Sequence, residues 1–271
     1  MDLLLADRLT WNIPLLLFFL YMTLLYGYLF KRITDSKLFS LQPFLFMTSL
    51  IILYAIIGSP LVAISHLSFS LHMIQMSMLY FIVPPLLLSS IPVSMLQYIT
   101  CTALFRLLRN YLIHSKVALY LFGSLFLVYH VPFVVQFLSQ HSILQVSYSF
   151  LLFVLALFMW WPIASPDSSQ RLSSPRFKQY TMLSGLVITP ACILFIVTAL
   201  IHTGQNPFLT KLTLHLCIPA GVDAPTILPT PFNTKYDQVI AGLSMMGVHK
   251  ISLVMTSKIH DKESAHDKVS F

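Results

Sequence analysis

The stretch that decides the fold reads GSPLVAISHLSFSLHMIQMSMLYFIVPPLLLSSIP and spans residues 58–92. Most of it is apolar enough to cross a lipid bilayer, and it passes through a double proline, Pro84-Pro85, where we expect a kink whose freed carbonyls need partners. It also carries two histidines and three methionines, namely His66, His72, Met73, Met76 and Met78. An imidazole in contact with lipid is energetically unfavourable, so we expect this helix to lie inside a bundle and to hold a metal or a partner there.

The composition of the whole chain indicates an integral membrane protein. Of the 271 residues, 57% are hydrophobic and only 9% are charged, whereas a soluble domain carries roughly a quarter charged residues. Apolar runs of about 20 residues, the length needed to cross a bilayer, recur along the chain. The seven predicted spans are Ile13–Phe30, Pro43–Ile57, Phe69–Ile91, Val117–Phe137, Ile143–Pro162, Tyr180–His202 and Tyr236–Met255.

The distribution of lysine and arginine predicts the orientation in the membrane. Four segments on one side carry three basic residues each, twelve in all: residues 31–37, 106–116, 171–178 and 258–268. The other side carries three, Arg8, Lys211 and Lys235. The positive-inside rule places the basic side in the cytoplasm. The sequence therefore predicts an all-α polytopic protein of the plasma membrane, a bundle of seven transmembrane helices. Residues 1–271 would form one domain, with the N-terminus outside and a polar cytoplasmic tail at residues 256–271.

Two connections between the predicted spans are longer than simple turns. Residues 92–116 mix leucines with arginines, which fits either a helix on the cytoplasmic interface or an ordinary basic loop. Residues 204–235 contain five prolines and form a long outer connection. These are the surfaces on which we expect a partner protein to dock, and the sequence leaves the oligomeric state open.

Several functional classes are disfavoured by the sequence. The net charge of +7 comes from basic residues in short loops, so nucleic acid is not an expected partner. The three cysteines are far apart and form no CxxC pair. The spans contain no paired carboxylates, no GxSxG and no glycine-rich phosphate loop, so we do not expect an enzyme.

The unusual polar side chains fall at one depth on this topology. The predicted outer half contains His66, His72, Met76, His130, His202, Asp237 and Met245, whereas His249 lies in the inner half. Met73 and His72 lie three and four residues before Met76, so each can share a helix face with it. Imidazole with thioether favours Cu(I), and a hard cation would require several carboxylates. The alternatives are core packing for the methionines, solvation for His66 and His202, and capping of the seventh span by Asp237.

Five segments, taken in order, resemble one protein family. They are residues 58–92, YHVP (129–132), MWWP (159–162), SGLVITPAC (184–192) and YDQVIAGLSMM (236–246). Together they extend over most of residues 45–255. They are similar to the CtaG family of bacterial membrane proteins, which are assembly factors for the caa-type cytochrome c oxidase of Gram-positive bacteria.

The resemblance implies a role in respiratory-chain biogenesis, at the step that places copper in the catalytic subunit of the oxidase. The His-Met-x-Gln-His run of the family falls on residues 72–76, with Met76 in place of the last histidine. The histidine before Pro132 is His130, and the Asp-Gln…Gly…Met run falls on residues 237–245. We therefore expect Cu(I) to be held by His72, Met76 and His130, with Met73, Met245, His66 and His202 as further candidates. A metal-free scaffold for oxidase subunits and a copper or small-solute transporter are the alternatives.

Overall fold

The computed structural model describes residues 11–34, 40–65, 68–100, 116–201, 232 and 234–269. Within these ranges all regular structure is helical, which confirms the predicted all-α class. The helices are α1 (Ile13–Ile33), α2 (Leu41–Ile57), α3 (Leu61–Ser65), α4 (Phe69–Ser90), α5 (Val93–Thr100), α6 (Val117–Tyr129), α7 (Pro132–Ser139), α8 (Ser142–Ala164), α9 (Ser174–Ile201) and α10 (Lys235–Val269), with one 3₁₀ turn at Ser168–Gln170.

Five of the described helices are long and apolar enough to cross a membrane. They are α1, α4, α8, the Ser174–Val197 part of α9 and the Lys235–Ile259 part of α10. The helices α2 and α6 are apolar but shorter. These lengths and compositions point to a membrane protein, whereas the count of seven spans and the side of each terminus stay predictions.

The predicted fourth span, Val117–Phe137, is divided into two helices. The last turn of α6 closes with short-range hydrogen bonds, from His130 N to Leu127 O (3.0 Å) and from Val131 N to Val128 O (3.1 Å). Val131 is extended, with φ −72° and ψ 128°, because a residue before proline is disfavoured in the helical region. Pro132 then begins α7, where its missing N–H costs nothing. The predicted span is therefore interrupted at this proline.

Helix α4 lies at the centre of the bundle and packs against α2, α8 and α10. In the most apolar 18-residue stretch of α4, 56% of the residues are buried, whereas 17% are buried in the corresponding stretch of α1. The buried residues of α4, α6, α8, α9 and α10 form one cluster rich in aromatic rings and methionines. Helix α1 lies outside this cluster and packs against α2 and α5.

The double proline reshapes the middle of α4. Residues Met78–Ile82 form a π-helical turn, and the N–H of Val83 donates to the carbonyl of Met78, five residues back. Pro84 and Pro85 have no N–H, so the carbonyls four residues before them, on Tyr80 and Phe81, lose their usual helical partners.

Two side chains from other helices satisfy these carbonyls. The indole Nε1 of Trp160, on α8, donates to Tyr80 O at 3.1 Å. The hydroxyl of Ser252, on α10, donates to Phe81 O. A backbone group without a partner costs several kcal/mol in hydrocarbon, so both bonds join neighbouring helices to the centre of α4.

The same arrangement recurs at Pro60, between α2 and α3. This proline leaves the carbonyl of Ile56 without an N–H four residues ahead. The side-chain amide of Gln75 donates to Ile56 O at 2.6 Å, and its own oxygen accepts from the hydroxyl of Ser65 at 2.6 Å. Gln75 therefore ties the start of α4 to the end of α2 and to α3.

The connection between α8 and α9 is an ordered loop. Trp161 Nε1 donates to Gln170 Oε1 at 3.0 Å, and Arg171 Nε donates to Ser165 O at 2.6 Å. Hydrogen bonds from the hydroxyl and the amide of Ser169 hold the pKa of the partly buried Asp167 carboxyl below its usual range. At the other end of the chain, α10 continues to Val269, so most of the polar segment 256–271 extends the helix of the last predicted span.

Candidate functional site

Three of the predicted thioether ligands lie in the core of the bundle. Met73 and Met76 of α4 and Met245 of α10 are between 0 and 6% exposed and belong to the same buried cluster. Tyr80 continues the stripe of Met73 and Met76 along α4 and is fully buried. These sulfur atoms therefore face protein and not lipid.

His130, directly after α6, is the imidazole that the core encloses most completely. It is 2% exposed, and its ring lies edge-on to Phe126 and Phe195, at centroid distances of 4.4 and 5.1 Å. Its Nδ1 lies 2.6 Å from the carbonyl of Phe126, which can only accept a hydrogen bond, so Nδ1 carries the proton. The Nε2 atom then presents a lone pair, and it is buried with no hydrogen-bond partner among the described residues.

His72 occupies a different position on α4. It is only partly buried and stands beside the stripe of Met73 and Met76, outside the core cluster. As the fourth residue before Met76 it shares a side of the helix with that methionine. The remaining two candidates, His66 and His202, lie outside the described residues.

Asp237 links the start of α10 to the start of α4. The sequence left capping of its own helix as an alternative, and the structure shows that the carboxylate accepts hydrogen bonds from α4. Its oxygens lie 2.9 Å from Phe69 N, 3.3 Å from Ser70 N, 2.9 Å from Ser68 Oγ and 2.5 Å from Ser70 Oγ. A carboxylate at this position satisfies free N–H groups and complements the positive end of the helix dipole. Asp237 is fully buried, so the first turn of α4 depends on a residue from α10.

The capped turn and His130 belong to one packed layer. Phe69, whose N–H donates to Asp237, lies edge-on to Phe195 of α9 at 4.9 Å between ring centroids. Phe195 in turn contacts the ring of His130 at 5.1 Å. Met73 lies one helical turn below Phe69 on the same face of α4. The fold therefore brings His130, Asp237 and the first buried methionine of α4 to the same end of the bundle.

The described residues contain no group of three or more His, Cys, Asp or Glu side chains that could hold a metal ion. A metal held by these residues alone would need thioether ligands beside an imidazole. That combination is soft and favours Cu(I) over zinc or a hard cation.

One protein-family model, described as cytochrome c oxidase caa3 assembly factor (Caa3_CtaG), matches residues 15–259 of the chain. The chain belongs to this family. No curated protein and no solved structure matches it. Membership of the Caa3_CtaG family suggests a non-catalytic role in oxidase assembly.

In this Caa3_CtaG protein, the Asp-Gln…Gly…Met run has identifiable structural roles. Asp237 caps α4, Gln238 is buried, and Met245 lies in the core. Gly242 allows α10 to approach α9 closely, because a Cβ at this position would lie 2.8 Å from the carbonyl oxygen of Cys192. The run therefore fixes α10 against both α4 and α9 and sets the depth of Met245.

Some residues that position the site were missed from the sequence. The double proline indicated that carbonyls would need partners, but nothing local showed that Trp160 and Ser252 would supply the donors. Gln75 was identified only as part of the His-Met-x-Gln-His run, and its bond to Ile56 O follows from Pro60. The burial of His249 is a further feature that only the fold reveals.

Proposed function

We propose that this chain assists assembly of a caa3-type cytochrome c oxidase by holding Cu(I) as cargo inside a plasma-membrane helix bundle. The ligands would be His130 Nε2 with the sulfur atoms of Met73, Met76 and Met245, and His72 would stand beside Met76 as a further ligand. His66 and His202 are the outermost candidates. The ion would pass sideways to the catalytic subunit of the oxidase, within the membrane.

The observation that supports this proposal most directly is the buried Nε2 of His130, which has no hydrogen-bond partner in the described part of the chain. A buried polar atom without a hydrogen bond costs about 1–3 kcal/mol, and binding a cation would remove that cost. Because the Nδ1–H donates to Phe126 O, the ring is oriented and its lone pair is fixed on Nε2. Thioethers in the cluster that contains Phe126 and Phe195, the ring neighbours of His130, supply neutral, soft ligands that bind Cu(I) and can release it.

The predicted topology gives the transfer a direction. With the N-terminus outside, α4 enters from the outer surface, and His72, Met73 and Met76 lie about 5 to 11 Å along it from Phe69. A donor at this depth could deliver copper to a membrane-embedded subunit without releasing it into water. The neighbouring oxidase subunit is therefore the expected partner.

A scaffold that binds oxidase subunits without metal is the second candidate. It is favoured by the tight packing of Met73, Met76 and Met245, whose exposure is no higher than that of the surrounding core residues. The two candidates differ in one respect. A scaffold would tolerate leucine at the methionines and phenylalanine at His130, whereas a Cu(I) carrier would not.

The deciding experiment uses cells that lack this chain and are complemented with variants. The caa3-type oxidase is purified, and haem and copper are measured per complex, with and without added copper. The variants are His130→Phe and the double change of Met73 and Met76 to leucine. The matched control is Met47→Leu, which changes a methionine that is 49% exposed on α2.

Copper delivery predicts assembled oxidase that contains haem but lacks copper in the His130→Phe and double-methionine strains, with recovery in excess copper. The Met47→Leu strain should retain normal copper. Oxidase with full copper in all variant strains would refute the carrier. Loss of the whole complex only when the chain is absent would favour the scaffold.

A further inference from the structure

A second buried imidazole, His249, lies on α10 far from the capped end of α4. It is 3% exposed, and its Nε2 is buried with no hydrogen-bond partner among the described residues. Its ring lies edge-on to Phe81 at 5.0 Å and tilted against Trp160 at 6.1 Å, so two aromatic side chains fix its orientation. It follows Asp237 by 12 residues on one helix, which places it about 18 Å further along the axis.

His249 lines a groove between α9 and α10 with a volume of about 470 Å³. Met182 and Gly185 of α9 and Met246 of α10 line the same groove, as does Lys250. A Cβ built at Gly185 would meet nothing within 4 Å, so the groove has open space at this position. Met182 is 70% exposed, so the groove is accessible from outside the core.

The side chains that line this groove offer soft metal ligands. The hydroxyls of Thr181 and Thr189, which also line it, donate to carbonyls of their own helix, at 2.9 Å to Lys178 O and 2.6 Å to Gly185 O. The lining residues that remain with uncharged metal-binding atoms are His249, through its ring nitrogens, and Met246 and Met182, through their sulfur atoms. Met246 and His249 are three residues apart, so they share one side of α10.

We propose that this groove is a second Cu(I) site, with His249 Nε2 and the sulfurs of Met246 and Met182 as ligands. One imidazole and two thioethers are the ligand types that select Cu(I) over divalent hard cations. A lipid chain could fill the groove, but it offers no donor or cation to the bare Nε2 atom. The site is independent of the one around His130, so it stands whether or not that site binds copper.

The groove lies on the predicted cytoplasmic side of the bundle. Helix α9 begins at Ser174, next to the basic loop predicted to be cytoplasmic, and Met182 lies two turns into it. The groove therefore opens in the predicted cytoplasmic half of the bundle. The rings of Phe81 and Phe126 link it to His130, because Phe81 contacts both His249 and Phe126, and Phe126 contacts His130.

The test measures Cu(I) binding to the purified full chain in detergent micelles, by competition with a coloured Cu(I) chelator under reducing conditions. The test variants are His249→Phe, which keeps an aromatic ring against Phe81, and Met182→Leu, which changes an exposed side chain. Gly185→Leu fills the groove without removing a donor. The matched controls are Met47→Leu and His141→Phe, both at exposed positions.

We expect His249→Phe and Gly185→Leu each to remove one equivalent of Cu(I) per chain. Met182→Leu should weaken the binding of one Cu(I) ion per chain at least about tenfold. Even the loss of a residue that only hydrogen-bonds to a metal ligand lowers metal affinity roughly 10–100-fold. The controls should bind as the unmodified chain does. All measurements are repeated with His130→Phe in the background, so that a loss at His249 is counted separately from a loss at His130.

A second readout reports on the ligands themselves. With ¹³C-methyl methionine and Ag(I) as a probe of Cu(I) sites, the methyl signals of Met182 and Met246 should shift on saturation, and they should not shift in His249→Phe. Unchanged stoichiometry in folded His249→Phe, or methyl signals of Met182 and Met246 that do not move, would overturn the proposal. Either result leaves the test of His130 unaffected.

Discussion

Replacing Asp237 with alanine tests whether α10 fixes the start of α4. The carboxylate accepts from two backbone amides, Phe69 N and Ser70 N, and from the hydroxyls of Ser68 and Ser70. After the substitution the hydroxyls can rotate, and Ser68 Oγ still accepts from Leu71 N at 3.4 Å. The two amides have no such freedom, so they carry most of the loss.

The expected loss in free energy of unfolding follows from these two amides. A buried donor left without a partner costs about 1–3 kcal/mol, and losing a helix N-cap costs about 0.5–2 kcal/mol. Because these figures describe overlapping effects, we expect Asp237→Ala to lower the free energy of unfolding by about 2–4 kcal/mol. That is a shift of roughly 30- to 900-fold in the unfolding equilibrium. Asp237→Asn keeps one carbonyl oxygen as acceptor and should lose about half as much.

The assay is reversible unfolding of the purified chain in mixed micelles of increasing SDS content, followed by tryptophan fluorescence and helical circular dichroism. Amide hydrogen exchange gives the local readout, because the N–H groups of Phe69 and Ser70 should exchange faster in Asp237→Ala. The control is Asp167→Ala, which removes a carboxylate whose hydrogen bonds stay within the loop after α8 and join no two helices. If the free energies of unfolding of Asp237→Ala and of this control agree within about 0.5 kcal/mol, the interhelical cap does not stabilise the bundle, and the reasoning fails.

Four other substitutions give contrasting expectations in the same unfolding assay. Ser252→Ala leaves the carbonyl of Phe81 without its donor and should cost about 0.6 to 1.7 kcal/mol, the average and the largest value found for hydrogen bonds between membrane helices; no loss would show that the carbonyl finds another partner. Gly242→Ala places a methyl 2.8 Å from the backbone oxygen of Cys192 and should cost about 1–3 kcal/mol. In the same helix Gly247→Ala meets nothing within 4 Å and should stabilise by up to about 1 kcal/mol, so equal effects of the two changes would contradict the close contact of α9 and α10. Gln75→Leu leaves Ile56 O unpaired and should cost about 1–3 kcal/mol, and a neutral result would exclude Gln75 as its partner.

Features that depend on neighbouring residues were predictable from the sequence. Hydrophobic length and proline chemistry act over a few residues, so the helical class and the break at Pro132 followed directly. The inward stripe of Met73, Met76 and Tyr80 also followed, because helical periodicity alone puts these residues on one face. The double proline likewise indicated that two carbonyls of α4 would need outside partners.

Features that depend on distant residues were not predictable. The partner of Asp237 lies about 170 residues earlier in the chain, and an aspartate at the start of a helix more commonly caps that same helix. Trp160 and Ser252 sit in apolar and mixed segments whose sequences do not indicate that they face α4. The enclosure of His249 depends on how α9 and α10 pack around it. A single sequence specifies which groups need partners, but the tertiary packing selects the partners.

The pattern of satisfied and unsatisfied groups bears on the function. At Pro60, Pro84 and Pro85 the helices lose backbone hydrogen bonds, and each time a side chain from elsewhere in the fold donates to the freed carbonyl. In hydrocarbon such replacement is required, since no water is available to do it. Among the described residues nothing forms a hydrogen bond with the Nε2 atoms of His130 and His249, although each ring packs against aromatic neighbours. Within the part of the chain that the structure describes, the bundle supplies donors to these three carbonyls but no partner to these two imidazole nitrogens, which can therefore meet a ligand that arrives from outside the chain.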